Sequence, residues 1–124
     1  MTTTTALRIS ALTGMLAVSL GALGAHGLDK LIKDLTPERL DWWKTAVAYQ
    51  LAHAVVLLVL SQPTAFRPRA WQLIFIGIAI FSGTLYAMAA GAPRWFGAIT
   101  PIGGILLIAG WLLLAFEKPK NAAV

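Results

Sequence analysis

Apolar positions run along this chain in four long blocks, and the charged positions fall between them. Between Arg8 and Asp29 lie 20 residues without a charge, between Lys44 and Arg67 lie 22, between Arg69 and Arg94 lie 24, and between Arg94 and Glu117 lie 22. A helix needs about 20 mostly apolar residues to cross the hydrocarbon core of a bilayer. The four blocks occupy 88 of 124 positions. The pattern predicts an all-α membrane protein: an antiparallel four-helix transmembrane bundle, with spans at about 7–27, 42–61, 71–91 and 101–117 of a single domain, 1–124.

Local signals punctuate the blocks. Met1 to Thr5 is polar and uncharged and reads as a disordered lead-in. Arg8 followed by an apolar run, with Ala22-Leu23-Gly24 as a small-residue site, also fits a signal peptide. The run exceeds the 7–15 residues of a signal h-region, which favours a span. Leu28, Leu31, Ile32 and Leu35 recur at helical spacing with Asp29, Lys30, Lys33 and Asp34 between them. That spacing predicts a short amphipathic segment lying in the interface between helices 1 and 2. Thr36-Pro37-Glu38 is a helix start, with Thr as N-cap and Pro at the first helical position. Trp42, Trp43 and Lys44 mark the membrane entry of helix 2. Arg67-Pro68-Arg69 precedes helix 3, Gly91-Ala92-Pro93 ends it, and Thr100-Pro101 repeats the start signal for helix 4.

Composition narrows the function classes. Hydrophobic residues are 58% and charged residues 12%, against about 25% charged in a soluble domain. Fifteen charges cannot coat a water-facing surface of this size, which excludes a soluble globule. The absence of cysteine excludes thiolate metal sites, disulfides and a cysteine nucleophile. The net charge of +5 comes from basic residues placed singly at helix ends. That placement suits membrane topology and a lipid-bilayer partner, not nucleic acid. Four spans put both termini on one side. Lys and Arg tie at five on each side, four acids share the loop side, and the N-terminus adds a positive charge to the other. The expectation is a multi-pass inner or plasma membrane protein with both termini cytoplasmic.

Uncharged polar residues carry the candidate chemistry. His26, Tyr49, Gln50, His53, Ser82, Tyr86 and Thr100, with Ser19 and Thr84, lie within or at the ends of the spans. At 1.5 Å per residue, Tyr49 is about 10 Å and His53 about 16 Å below Trp42. Nearly all of the set therefore falls in the half of the bilayer away from the termini. Tyr49, Gln50 and His53 share one helix face, so they are expected to partner one another. Two readings stand: a structural network that sets helix order, or a small polar pocket. Ala17-Gly21-Ala25 on helix 1, Ala79-Gly83-Ala87-Gly91 on helix 3, and Gly103 and Gly104 on helix 4 are expected to form close helix contacts. The same small residues also allow contact in a homo-oligomer or with a larger membrane protein. No catalytic constellation is present, since every Asp and Glu lies at a boundary. No metal or cofactor is expected, because His26 and His53 are about 15 Å or more apart in depth and lack a third ligand.

Four motifs carry a family resemblance: Gly21-Ala22-Leu23-Gly24-Ala25-His26-Gly27-Leu28, Trp43 to Ala54, Phe81-Ser82-Gly83-Thr84-Leu85-Tyr86, and Ile99-Thr100-Pro101-Ile102-Gly103-Gly104. Together they resemble the YgdD/YwdK-type family of small integral membrane proteins, over nearly the whole chain. The resemblance implies four spans and no assigned catalytic residue. The functional expectation is a non-enzymatic accessory, scaffolding or lipid-interacting protein, with a small-solute transporter or channel acting as a homo-oligomer as the alternative.

Overall fold

The computed structural model describes residues 1–120 and is all-helical among them. Four helices are long and apolar enough to cross a membrane. They are α1 (Thr3–Ala25), α3 (Pro37–Leu60), α4 (Pro68–Ala89) and the run Arg94–Phe116, in which a 3-10 turn (Arg94–Ala98) leads into α5 (Thr100–Phe116); a short α2 (Leu28–Leu31) lies between α1 and α3. The bundle thus has a terminal end, holding the start of α1, the end of α5 and the α3–α4 connection, and a loop end, holding α2 and the 3-10 turn.

Helix α1 begins earlier than expected. Thr2 accepts a hydrogen bond from the Thr5 N–H at 3.1 Å, so the polar lead-in is an N-cap and first turn. Thr36 caps α3 by accepting from the Arg39 N–H at 3.2 Å, with Pro37 at the first helical position. Thr100 is not a cap. It lies inside α5, and its hydroxyl meets that of Thr84 on α4 at 2.7 Å. Helix α4 ends in a Schellman turn: Ala92 N–H bonds to Ala87 O, Gly91 N–H bonds to Met88 O, and Gly91 takes the positive φ of +113° that the turn requires.

The amphipathic segment after α1 contains the short helix α2. Leu28 is buried and packs with Ile32 and Leu35 onto Trp43 and Ala89, closing the loop end from above. Trp43 is correspondingly a core residue. It is 7% exposed, its indole N–H donates to Leu20 O at 2.8 Å, and its ring meets Tyr86 edge-on at 4.8 Å. The terminal end is a second apolar cluster built on Ala6, Leu57, Phe66, Trp71 and Ile74. There Glu117 closes the start of α4: its carboxylate accepts from the Arg69 and Ala70 N–H groups at 3.1 and 2.8 Å.

The four spans do not close into a ring. α3 and α4 form a central hairpin, α1 packs on α3, and α5 packs on α4. At 100° per residue, the α4 positions facing α5 (Ile74, Gly77, Phe81) and those turned toward α1 (Ala79, Ser82, Tyr86) lie on opposite sides of that helix. α1 and α5 therefore flank the hairpin from opposite faces. The α4–α5 seam is the tightest. A Cβ on Gly103 would lie 2.5 Å from Phe81 N, and one on Gly77 would lie 2.9 Å from Leu107 N. Gly21 meets Val47 at 3.1 Å and Gly104 only the Phe81 ring at 4.0 Å. Ala25 and Gly83 are exposed and Ala87 half-buried, so the Ala79-Gly83-Ala87 row is not a helix seam.

Candidate functional site

The polar side chains of the spans separate into two groups, one reaching toward α1 and the other toward α5. In the first, Gln50, buried at mid-helix, joins three helices. Its amide donates to Thr13 O of α1 at 3.0 Å, and its carbonyl accepts from the Tyr86 hydroxyl of α4 at 2.6 Å. Ser82 donates to Ala46 O at 2.8 Å one turn nearer the loop end of α3. An unpaired polar group in hydrocarbon is costly, so these bonds select one rotation of each helix about its axis.

In the second, His53 faces α5. Its Nδ1 is 2.8 Å from Tyr49 O, and its Nε2 accepts from the Trp111 indole N–H at 3.1 Å. A carbonyl only accepts and an indole only donates, so the ring is neutral with its proton on Nδ1. Tyr49 stacks loosely on His53 and packs on Phe81, with its flank exposed. Gln50 and His53 thus do not bond to each other despite their shared spacing. His26 is remote from both groups. It is exposed at the C-cap of α1, at the loop end. Thr100 pairs with Thr84 as a third, separate bridge. Gln50 and Thr13 lie at mid-helix and Tyr86 near the loop end of α4, whereas His53 and Trp111 lie toward the terminal end of α3 and α5.

Trp111 stands outside the set of polar residues that the sequence marks as candidates. Its signal was depth: Thr100 to Trp111 and Trp42 to His53 are the same number of residues, about 16 Å at 1.5 Å per residue. Among the described residues no group of three or more His, Asp or Glu side chains is placed to hold a metal ion.

Beside Gln50 lies an open groove. α1 and α4 both lean on α3 but diverge from each other above the Trp71–Ser10 hydrogen bond of 3.1 Å. The gap has a volume of about 420 Å³. Leu12, Leu16 and Leu20 form one wall, Phe75, Ile78 and Tyr86 the other, and Ala79 and Gly83 leave the lip low. From Ile9 to Leu20 it runs about 16 Å along the helix axis.

An all-helical chain with four membrane-crossing helices, minimal loops and a polar core consumed by interhelical bonds defines a small polytopic membrane protein. Known proteins place it within that class. A family model described as a protein of unknown function (DUF423) matches residues 20–104. A UPF0382 membrane protein of Staphylococcus epidermidis is 43% identical over 92% of this chain and 94% of its own length. The UPF0382 membrane protein YwdK of Bacillus subtilis is 39% identical over 90% and 94%. One from Schizosaccharomyces pombe is 36% identical over 83% and 92%. No solved structure matches. The chain belongs to the DUF423 family of UPF0382 membrane proteins.

Proposed function

We propose that this protein is a non-enzymatic, lipid-interacting membrane protein whose α1–α4 groove holds one hydrocarbon chain of a membrane lipid. The groove carries the reading. It faces the bilayer, its walls are alkyl and aromatic, and its length of about 16 Å matches one leaflet of a core about 30 Å thick. Gln50, Ser82 and Tyr86 at its floor are already bonded within the bundle. That favours an apolar occupant and supports a structural role for the polar residues. The same saturation weighs against a polar conduit for a small solute. Both termini face the cytoplasm in this reading. The terminal end carries Arg8, Arg67, Arg69, Lys118 and Lys120 against Glu117 alone, whereas the loop end sets five cations against four acids. Reporter fusions at either end test that orientation.

The groove is tested by native mass spectrometry of the full chain in mild detergent. Retained lipid is expected on the native chain and is lost in Gly83→Leu, which fills the groove from an exposed position. The native chain has no cysteine, so Gly83→Cys reports cleanly on a second copy. Spontaneous crosslinking of Gly83→Cys between copies in the membrane would place a protein helix in the groove and overturn the lipid reading.

A further inference from the structure

Arg39 lies in the first turns of α3 at the loop end, and its side chain is half-buried. Its Nε donates to Ala89 O at 2.9 Å, and Nη1 donates to Asp34 O at 2.8 Å and Lys33 O at 3.3 Å. All three partners are neutral carbonyls. They hold the plane of the guanidinium and leave its charge uncompensated. The remaining nitrogen, Nη2, turns toward Gly91, where a Cβ would lie 3.3 Å away. Nothing among the described residues accepts from it.

That nitrogen opens on a cleft of about 240 Å³ lined by Thr36, Arg39, Trp42, Met88, Gly91 and Arg94, with Ala92 at the edge. The lining holds two cations and no carboxylate. Arg94 forms the rim. Its guanidinium lies 5.5 Å over the Trp42 ring, and Nη2 pairs with Glu38 at 2.9 Å in an exposed contact. Exposed pairs of this kind contribute little, so Arg94 is available to another anion.

We propose that this cleft binds an oxyanion, the phosphate of an anionic phospholipid headgroup. The two N–H groups of the free Nη2 match phosphate oxygens, and a guanidinium held by carbonyls loses little freedom on binding. The cleft stands where a headgroup stands: it joins the start of α3 to the end of α4, beside a tryptophan at the membrane boundary. The sealed wall of Arg39, Ala89 and Gly91 then has a purpose besides capping α4. It presents a fixed cation to the lipid surface. The site is separate from the α1–α4 groove, because Met88 and Tyr86 lie on opposite faces of α4. Loss of either leaves the other intact.

The test uses the full chain, stripped of lipid in a neutral detergent. Short-chain phosphatidylglycerol, phosphatidylcholine of the same chain length, and inorganic phosphate are titrated separately, with tryptophan fluorescence and thermal midpoint as readouts. Phosphatidylglycerol is expected to bind about tenfold more tightly than phosphatidylcholine. Arg39→Lys keeps the charge but loses the clamped guanidinium with its free Nη2, and reduces that preference. Arg94→Gln and Ala92→Glu, both away from the carbonyl clamp, abolish it while the protein stays folded. Competition by inorganic phosphate assigns the site to any phosphate oxyanion. Preference without competition assigns it to the lipid headgroup. Equal binding of the two lipids, or a preference unchanged in Arg94→Gln and Ala92→Glu, overturns the proposal.

Discussion

The Trp111 indole N–H donates to His53 Nε2 at 3.1 Å, and this bond ties α5 to the far side of the central hairpin. Trp111 is half exposed on the lipid side, so no water stands ready to replace the acceptor. Trp111→Phe keeps the ring and removes only the donor. It is expected to lower stability by about 0.6–1.7 kcal/mol, the range for interhelical hydrogen bonds in lipid. His53→Leu removes both of the ring's bonds and should cost more, about 1–3 kcal/mol. Thermal unfolding in detergent reads both, with exposed Trp95→Phe as an unaffected control. An unchanged midpoint in His53→Leu would remove the bond from any structural role.

Gln50 gives the second prediction. It is the polar tie from α1 to the hairpin at mid-height, accepting from Tyr86 and donating to Thr13 O. Tyr86→Phe should destabilise by about 0.6–1.7 kcal/mol. Gln50→Leu should add loosening of α1, seen as faster amide exchange in α1 than in α5. In a double-mutant cycle the two substitutions should be non-additive, because they share one bond. Full additivity would show that the bond contributes nothing.

How much of this was legible in the sequence differs from level to level. Charge-free blocks announced four helices long and apolar enough to cross a membrane, and Thr36-Pro37 marked the start of α3 to the residue. Helix rotation was not legible. In water, apolar periodicity marks the buried face of a helix. In lipid the outside is as apolar as the inside, so Leu58 and Val59 on the outside read like Leu57 and Leu60 within. Gln50 and His53 therefore looked like partners, although they face different helices. The Ala79-Gly83-Ala87 row looked like a seam, although Gly77 forms it. Trp43 looked like an interfacial anchor because its burial depends on Leu28 folding back over the loop end. The open order of the helices, and with it the groove, follows from those rotations and was equally hidden.

The terminal end supplies a third prediction. The Glu117 carboxylate accepts from two N–H groups at the start of α4, where the helix dipole favours negative charge. Glu117→Gln removes the charge and one acceptor oxygen. A loss of about 0.3–1 kcal/mol is expected. Because the end is open to water, the difference from the native chain should shrink as salt rises. A salt-independent difference in thermal midpoint would point to packing and away from charge.

Glycines inside and outside the α4–α5 seam should respond differently to the same substitution. A Cβ at Gly103 would lie 2.5 Å from Phe81 N and 2.8 Å from Gly77 O, which are backbone atoms with no rotamer to change. Gly103→Ala can be accommodated only by moving α5 off α4, which breaks the closest packing in the bundle and strains the Thr84–Thr100 and His53–Trp111 bridges. Overpacking of this kind costs about 1–3 kcal/mol, and the upper half of that range is expected. Gly83, on α4 and away from that seam, is the control. A Cβ there meets nothing within 4 Å. Gly83→Ala should therefore leave the thermal midpoint nearly unchanged. The two substitutions add the same methyl group, so a comparable loss in both would mean that glycine acts through backbone flexibility and not through close approach. A loss in Gly103→Ala alone would establish the α4–α5 seam as the contact that holds α5 in place.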